Sequence, residues 1–483
     1  MKPFYRYAIA ALVLLIALFF IANFWVSKKI KTHLAEVDSL YYSSYYVNAL
    51  TGIFSLEEVK FDDAAMDIKI KDMELDVALV PLLMNNQLII ERIDVSRLDL
   101  KLFTSSNLES KAHKESKDLI IKKLQLKDAN ITLTGKDKIA FEVVQLNLKA
   151  ENITWPLDKN YAWLNNETLK IDAKNLRYTM DTLHDLNSEA FDFYDKELLF
   201  TNFSITPKFT KSEYVNHIQT EKDLMDLKSK SLKISGFRLQ KKDNLLHVSS
   251  RKIEMDSTNF DIYRDKTVLD DNSYKPLYSQ ALRELNFELD IDSLLISELD
   301  ITYGELIKPD RQPGRIRIKA IQAQVLNIHN TLEAEHPEIK AEAKARFSED
   351  SEIVFHLNLV PDHEQFYVST NLRQIEDRSI NGFFAPAMRM EMDGKIDEMK
   401  TSAYGNNTEM NGDFSLNYEN LKVNILNKNG SKNSFASLMS NALIRNNNAG
   451  QTRPLKNVER NTTKSFWNYV WTFHLEGLKK SLL

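Results

Sequence analysis

Residues 88–102 read LIIERIDVSRLDLKL, with apolar side chains at Leu88, Ile89, Ile90, Ile93, Val95, Leu98, Leu100 and Leu102 and polar or charged ones between. Such alternation sets one face of a strand against a core and the other against water. The phase breaks twice, where three residues separate Ile90 from Ile93 and Val95 from Leu98. A one-residue slip turns every later side chain to the opposite face. Each break therefore predicts a bulge or a tight turn, if one face is to stay apolar throughout.

The same spacing recurs on either side of this stretch. Upstream it runs through Leu56, Val59, Phe61, Ala64, Met66 and Ile68; downstream, through Ile121, Leu124, Leu126, Ala129, Ile131 and Leu133. Shorter versions follow at Phe200, Phe203 and Ile205, at Ile234, Phe237 and Leu239, and at Ile296, Leu299 and Ile301. A recurring step of this kind marks a repeated β architecture. With the two alanines set aside, the three full copies supply the candidate apolar lining of one continuous face. The chain is expected to be mainly β, a long twisted antiparallel sheet of about 25–35 strands. Credible helices are confined to Ser212–Leu227, Phe435–Arg445 and the last twenty residues, too few to roof so much sheet. That leaves a sandwich, a closed barrel or an open trough. Ser105–Ser116, Glu305–Gly314 and Asn446–Thr463 read as polar loops on one elongated body.

Ahead of this body, Tyr7–Val26 (YAIAALVLLIALFFIANFWV) carries no charge, and Asn23 is its one strongly polar side chain. As a helix it is ~30 Å long, the thickness of a bilayer's hydrocarbon core. Tyr7, Leu12, Leu15, Leu18, Phe20 and Trp25 are the candidate anchor residues, with aromatics at both ends as headgroup layers favour. A cleaved signal peptide is the competing reading, but the stretch is long for one and no small-residue cleavage site follows. Lys2 and Arg6 face Lys28, Lys29 and Lys31 across the segment, so charge alone leaves its orientation open. The lopsided lengths favour a short cytoplasmic tail (1–6), a spanning helix (7–26) and an extracytoplasmic body (27–464).

Residues 465–483 (SFWNYVWTFHLEGLKKSLL) form the last element, a helix whose apolar residues include Phe466, Trp467, Val470, Trp471, Phe473 and Leu478. Glu476, Lys479 and Lys480 interrupt a segment already short for spanning. Two roles fit it: an amphipathic helix at a membrane surface, or the cap of a protein core.

Composition excludes much chemistry. The chain has 63 Lys plus Arg against 68 Asp plus Glu, a net charge of −5 that does not suit a nucleic-acid partner. It has no cysteine, hence no thiolate nucleophile, metal thiolate or disulfide. Its 12 glycines never fall closer than seven residues apart, which rules out phosphate-binding glycine loops and the nucleophile elbow. The nearest histidine pairs, His329 with His336 and His356 with His363, lack zinc-ligand spacing. His363-Glu364-Gln365-Phe366-Tyr367 has tyrosine where a zincin helix needs its second histidine, and reads as a turn. No cofactor, metal or catalytic residue is assigned. A hydrolase acting through stray carboxylates has no positive support.

Several segments resemble those of a known family. Leu50–Phe61 (LTGIFSLEEVKF), Asp76–Leu83 (DVALVPLL) and Leu88–Leu100 look like the first repeat of bacterial AsmA-like envelope proteins. Phe383–Pro386 (FFAP), Gly394–Asp397 (GKID), Phe435–Ile444 (FASLMSNALI) and Ser465–Trp471 (SFWNYVW) resemble an AsmA-related family. The likeness covers the first third and the last quarter of the chain and places it beside the bridge-type lipid transfer proteins. It implies a protein held in the inner membrane with its N-terminus cytoplasmic and its body periplasmic, curled into an elongated open groove. Phospholipid acyl chains would be the ligand, moving between inner and outer membrane, with other envelope proteins as partners. An assembly factor for envelope or outer-membrane proteins is the alternative function.

Overall fold

The computed structural model describes residues 20–482 apart from 22, 29, 33, 36–38, 86, 104–118, 136–137, 156, 332–336, 429, 435 and 438–446. These residues are mainly β and form 22 strands. The chain divides into two compact units, one comprising residues up to 179 with 187–200, the other 180–186 with 201–483.

In the first unit β1 (Leu40–Tyr41) and β2 (Ser44–Asn48) both pair with β3 (Ile53–Asp62). Antiparallel order continues through β4 (Met66–Val77) to β5 (Ile89–Phe103), with a short helix α1 (Leu79–Asn85) between those two. β5 and β6 (Leu119–Gly135) run parallel, and β7 (Lys138–Trp155) and β8 (Lys170–Thr179) follow antiparallel. β9 (His184–Tyr194) and β10 (Glu197–Pro207), each divided between the two units, form a hairpin closed by Asp195 and Lys196, both at positive φ (48° and 64°) as a twisted two-residue turn requires.

The second unit is built on β13 (Leu245–Asp265), which takes β11 (Asp223–Ser235) and β12 (Arg238–Lys242) antiparallel and β14 (Glu288–Leu306) parallel. From β14 an antiparallel meander runs through β15 (Gly314–His329), β16 (Ile339–Arg346), β17 (Glu352–Leu359), β18 (Phe366–Glu376) and β19 (Met390–Gly405). It ends at β20 (Glu409–Ile425), whose far side takes β21 (Asn447–Ala449) and β22 (Arg453–Glu459). Among the described residues no pairing closes either ladder into a barrel.

The sheet is thus mixed, where the sequence led us to expect antiparallel pairing alone. The two parallel pairs fall where a long connection lets the chain return to its starting end before pairing again. Residues 104–118 separate β5 from β6, and 266–287, which include helix α2 (Tyr278–Arg283), separate β13 from β14. The strands of the described residues are also longer than expected, reaching 21 residues in β13 and 19 in β14.

Their length comes from the phase breaks. Glu58, Arg97 and Asp128, each inside a three-residue step of the repeat, have φ of 48°, 51° and 54°. Left-handed insertions let a strand run on through the step. Leu56 and Val59 are both buried while Glu57 and Glu58 are exposed, and buried Ala129 follows exposed Lys127 and Asp128. Register brackets Glu58 opposite Lys71, Lys71 opposite Arg97, and Arg97 beside Asp128, so the insertions form a seam across the sheet. An insertion frees a backbone N–H from the ladder, and a neighbouring Asn or Asp collects it. Asp128 N donates to Asn147 Oδ1 (3.0 Å), Gln145 N to Asn130 Oδ1 (3.2 Å), Ala320 N to Asp300 Oδ1 (2.8 Å) and Asn457 N to Asn411 Oδ1 (2.8 Å).

The second unit has a sealed core under two helices, α3 (Asp377–Met388) and α4 (Phe466–Leu482). Val368, Ala403, Met410, Phe414, Leu416, Tyr418 and Phe473 are fully buried there. Helix α3 was not expected, since Gly382 and Pro386 interrupt its apolar period. Arg311 Nη1 supplies the carbonyl of Pro386 at 3.1 Å, and Asn381 exchanges two hydrogen bonds with the Met392 backbone (2.7 and 2.8 Å). Ser212–Leu227, expected to be helical, holds only a four-residue 3-10 turn (Tyr214–His217) before β11 begins. Asn446–Thr463, expected as a loop, holds edge strands β21 and β22. Phe435–Arg445 and Ser105–Ser116 fall almost wholly outside the described residues.

Helix α4 places His474 in the core, where Nδ1 donates to the Val470 carbonyl (2.8 Å) and Nε2 accepts from Thr370 Oγ1 (2.9 Å). Burial lowers its pKa below the usual value near 6.5, against the opposing pull of the Val470 carbonyl. The neutral form is the folded one, so stability is present above about pH 6.5 and is lost as pH falls below it. Amide exchange in α4 should accelerate between pH 7 and 5 beyond its intrinsic pH dependence, and a His474→Gln variant should lose that excess.

Candidate functional site

Strand register sorts the sequence repeat into rows that cross the first unit at right angles to its strands. Phe61, Ile68, Leu100, Ile131 and Val143 are successive partners on five strands. Met66, Leu102, Leu133 and Phe141 form the next row. Beyond the seam lie Leu56, Met73, Val95, Leu126, Leu148 and Ile171, then Phe54, Leu75, Ile93, Leu124 and Ala150, then Val77, Ile90, Ile121 and Ile153. Val59, Ile70 and Leu98 form a shorter row beside the seam. All sixteen candidate lining residues therefore fall in these rows. Neighbouring strands lie about 4.8 Å apart, so each row is a nearly continuous apolar track.

The intervening positions are polar and form rows of their own, such as Asp67, Lys101, Thr132 and Glu142. Ion pairs lie among them: Arg92 with Glu74 and Asp94, Lys122 with Glu91 at 2.7 Å, and Lys69 with Asp67 at 3.3 Å.

Leu56, Val59, Ile90 and Ile121 are buried. The other twelve candidates, from Phe61 to Leu133, are half-buried. Their neighbours on the sheet cover their flanks, while their ends are not sealed as Phe414 or Val368 is in the second unit. Helices α3 and α4, which pack on strands, belong to that second unit.

Of the anchor candidates, Tyr7, Leu12, Leu15 and Leu18 lie outside the described residues. Phe20 and Trp25 are helical and 65% and 68% exposed. No helix of the described residues is long and apolar enough to cross a membrane. The polar exception in the apolar stretch, Asn23, has a partner: its Oδ1 accepts the backbone N–H of Ala49 in the β2–β3 turn.

The C-terminal helix is a core cap. Phe466, Val470 and Phe473 are buried, Trp471 and Leu478 are half-buried, and of the six residues read as a membrane face only Trp467 is exposed, at 54%.

The strongest polar constellation is His184 with Asp181 in the second unit. Nδ1 of His184 lies 3.1 Å from the Asp181 carboxylate, and Nε2 accepts the Met225 N–H at 2.9 Å. Burial raises the Asp181 pKa, but the His184 hydrogen bond and two backbone N–H groups bring it below the usual value. With Nδ1 on Asp181 and Nε2 committed to a strand amide, the imidazole has no lone pair left for a substrate, and it fastens the start of β9 to β11. His363 and Glu364 lie in the turn before β18, as expected, whereas Phe366 and Tyr367 are already the first residues of that strand.

No protein-family model matches the chain, and no curated protein matches it.

Proposed function

We propose that this chain is a membrane-anchored, non-enzymatic envelope protein whose apolar sheet face binds phospholipid acyl chains and conducts them between inner and outer membrane. The observation that carries this reading is the set of cross-strand apolar rows in the first unit, most of their residues half-buried and flanked by charged positions. A row perpendicular to the strands suits a flexible hydrocarbon chain, while headgroups stay in water along the open side. Burying a methylene there is favourable by about 0.8 kcal/mol, and exchange along the track needs no catalytic group. The AsmA-like segments and the apolar stretch 7–26 support an inner-membrane anchor with the N-terminus cytoplasmic and the body periplasmic.

The test is lipid mass spectrometry on the chain from Lys28 onward, exported behind a cleavable signal and purified without detergent. Several phospholipids per chain are expected. A folded, lipid-free protein would overturn the reading, and co-purifying polypeptide would favour the assembly-factor alternative.

A further inference from the structure

We infer that the strand-end rim formed by Leu50, helix α1 and Leu88 is a second membrane contact, lying in the headgroup layer beside the N-terminal anchor. This rests on the reading that residues 7–26 enter a bilayer. Four apolar side chains project from the rim: Leu50 is 67% exposed, Val80 66%, Met84 79% and Leu88 44%. Register puts them at one end of the sheet. Asn48 pairs with Ile53, Ile53 with Asp76, and Val77 with Ile90, so the β2–β3 turn and the α1 connection leave the same edge.

The turn and the helix are pressed together at Gly52. Its φ is +82°, and a Cβ there would lie 2.1 Å from the Val77 carbonyl oxygen and 3.3 Å from Leu79 Cγ. The same turn holds the N-terminal helix through the Ala49 N–H to Asn23 Oδ1 bond, while Ser27 Oγ donates to Tyr45 Oη at 3.1 Å. Phe24 and Trp25, 65% and 68% exposed, thus end beside the rim.

Two further features select lipid as the occupant. From Val77 to Ile90 there is no charged residue, in a chain that is 27% charged. The apolar sequence of the N-terminal helix also continues upstream from Phe20 to Tyr7 without a charge, so whatever medium receives that segment reaches the rim as well. Seven residues of helix measure about 10 Å, enough to lie in an interface and too short to cross it.

The absence of cysteine allows a single label per chain. Met84→Cys, Trp25→Cys and, at the opposite strand ends, Tyr178→Cys are labelled with an environment-sensitive nitrobenzoxadiazole dye. The full-length chain is reconstituted in vesicles of phosphatidylethanolamine and phosphatidylglycerol. The Met84 label should emit to the blue of the Tyr178 label, resist iodide, and be quenched by headgroup-level spin-labelled lipid. If Met84 is as open to iodide as Tyr178 while Trp25 is in lipid, the rim contact is overturned and the anchor stands. If Trp25 is open to iodide too, the anchor reading fails and the rim falls with it. Shielding of Met84 from both quenchers would mean a protein covers the rim, which also overturns the inference.

Discussion

Phe414→Ala is expected to destabilise the second unit by about 3–5 kcal/mol, the cost of emptying a sealed aromatic site. Phe414 is fully buried on β20, its ring 6.4 Å from the His474 ring in an edge-on arrangement. Helix α4 rests on it through Gly477, where a Cβ would come within 2.2, 2.3 and 2.7 Å of ring atoms Cγ, Cδ2 and Cδ1. No side chain fits between helix and ring. Gly477→Ala should therefore cost about 1–3 kcal/mol by overpacking, despite the roughly 1 kcal/mol by which alanine favours helix. The two changes touch one space. The double variant should be more stable than their sum predicts, because the alanine methyl enters the cavity that the phenyl left. Amide exchange within α4 reports this locally, without requiring the whole chain to unfold in one step.

Lys464→Met is expected to destabilise the same unit by about 3–5 kcal/mol, as removal of one partner of a buried pair does. The Glu221 side chain is only 3% exposed and accepts a 2.9 Å hydrogen bond from Lys464 Nζ, with Lys266 Nζ 3.7 Å from its other oxygen. Lys464 stands immediately before α4, so the pair fastens the approach to that helix to the segment leading into β11. Without Lys464 a buried carboxylate keeps only the weaker pull of Lys266 and Arg264. Glu221→Gln in the Lys464→Met background should recover most of the loss, because the amide buries no charge. Burial raises the Glu221 pKa, but the Lys464 hydrogen bond and the charges of Lys266, Lys464 and Arg264 bring it below the usual 4.5. The pair therefore stabilises fully above about pH 4.5 and progressively less as pH falls below it, a dependence that Glu221→Gln should remove. Denaturant melts at pH 7 and pH 4 separate the effects.

The repeat was legible because spacing alone carries it: two polar residues between Leu56 and Val59, or between Leu126 and Ala129, admit one apolar face only with an insertion. That the insertions line up across strands was not legible, since it depends on register. The cross-strand asparagines that collect freed N–H groups are a signal in retrospect, because Asn130 and Asn147 sit beside the steps they serve. Parallel pairing was also hidden, although the polar run Ser105–Ser116 marks a connection too long for a hairpin. Helix α3 went unread because Gly382 and Pro386 look like breakers until Arg311 and the Met392 backbone are seen to hold the ends. For α4, the aromatic circumference fitted a membrane surface as well as a core, and the burial of Phe466, Val470 and Phe473, with Phe414 beneath Gly477, decides between them.

The central claim is that one face of the first unit holds acyl chains. Its most direct test is a photo-crosslinking scan with benzoylphenylalanine at each position from Ile93 to Leu102, in membranes of cells making the full chain. Phospholipid adducts are predicted at Ile93, Val95, Leu98, Leu100 and Leu102, and none at Asp94, Asp99 or Lys101, with Ser96 and Arg97 silent in succession where the seam crosses β5. Capture that ignores this alternation, or adducts made of polypeptide alone, would contradict it.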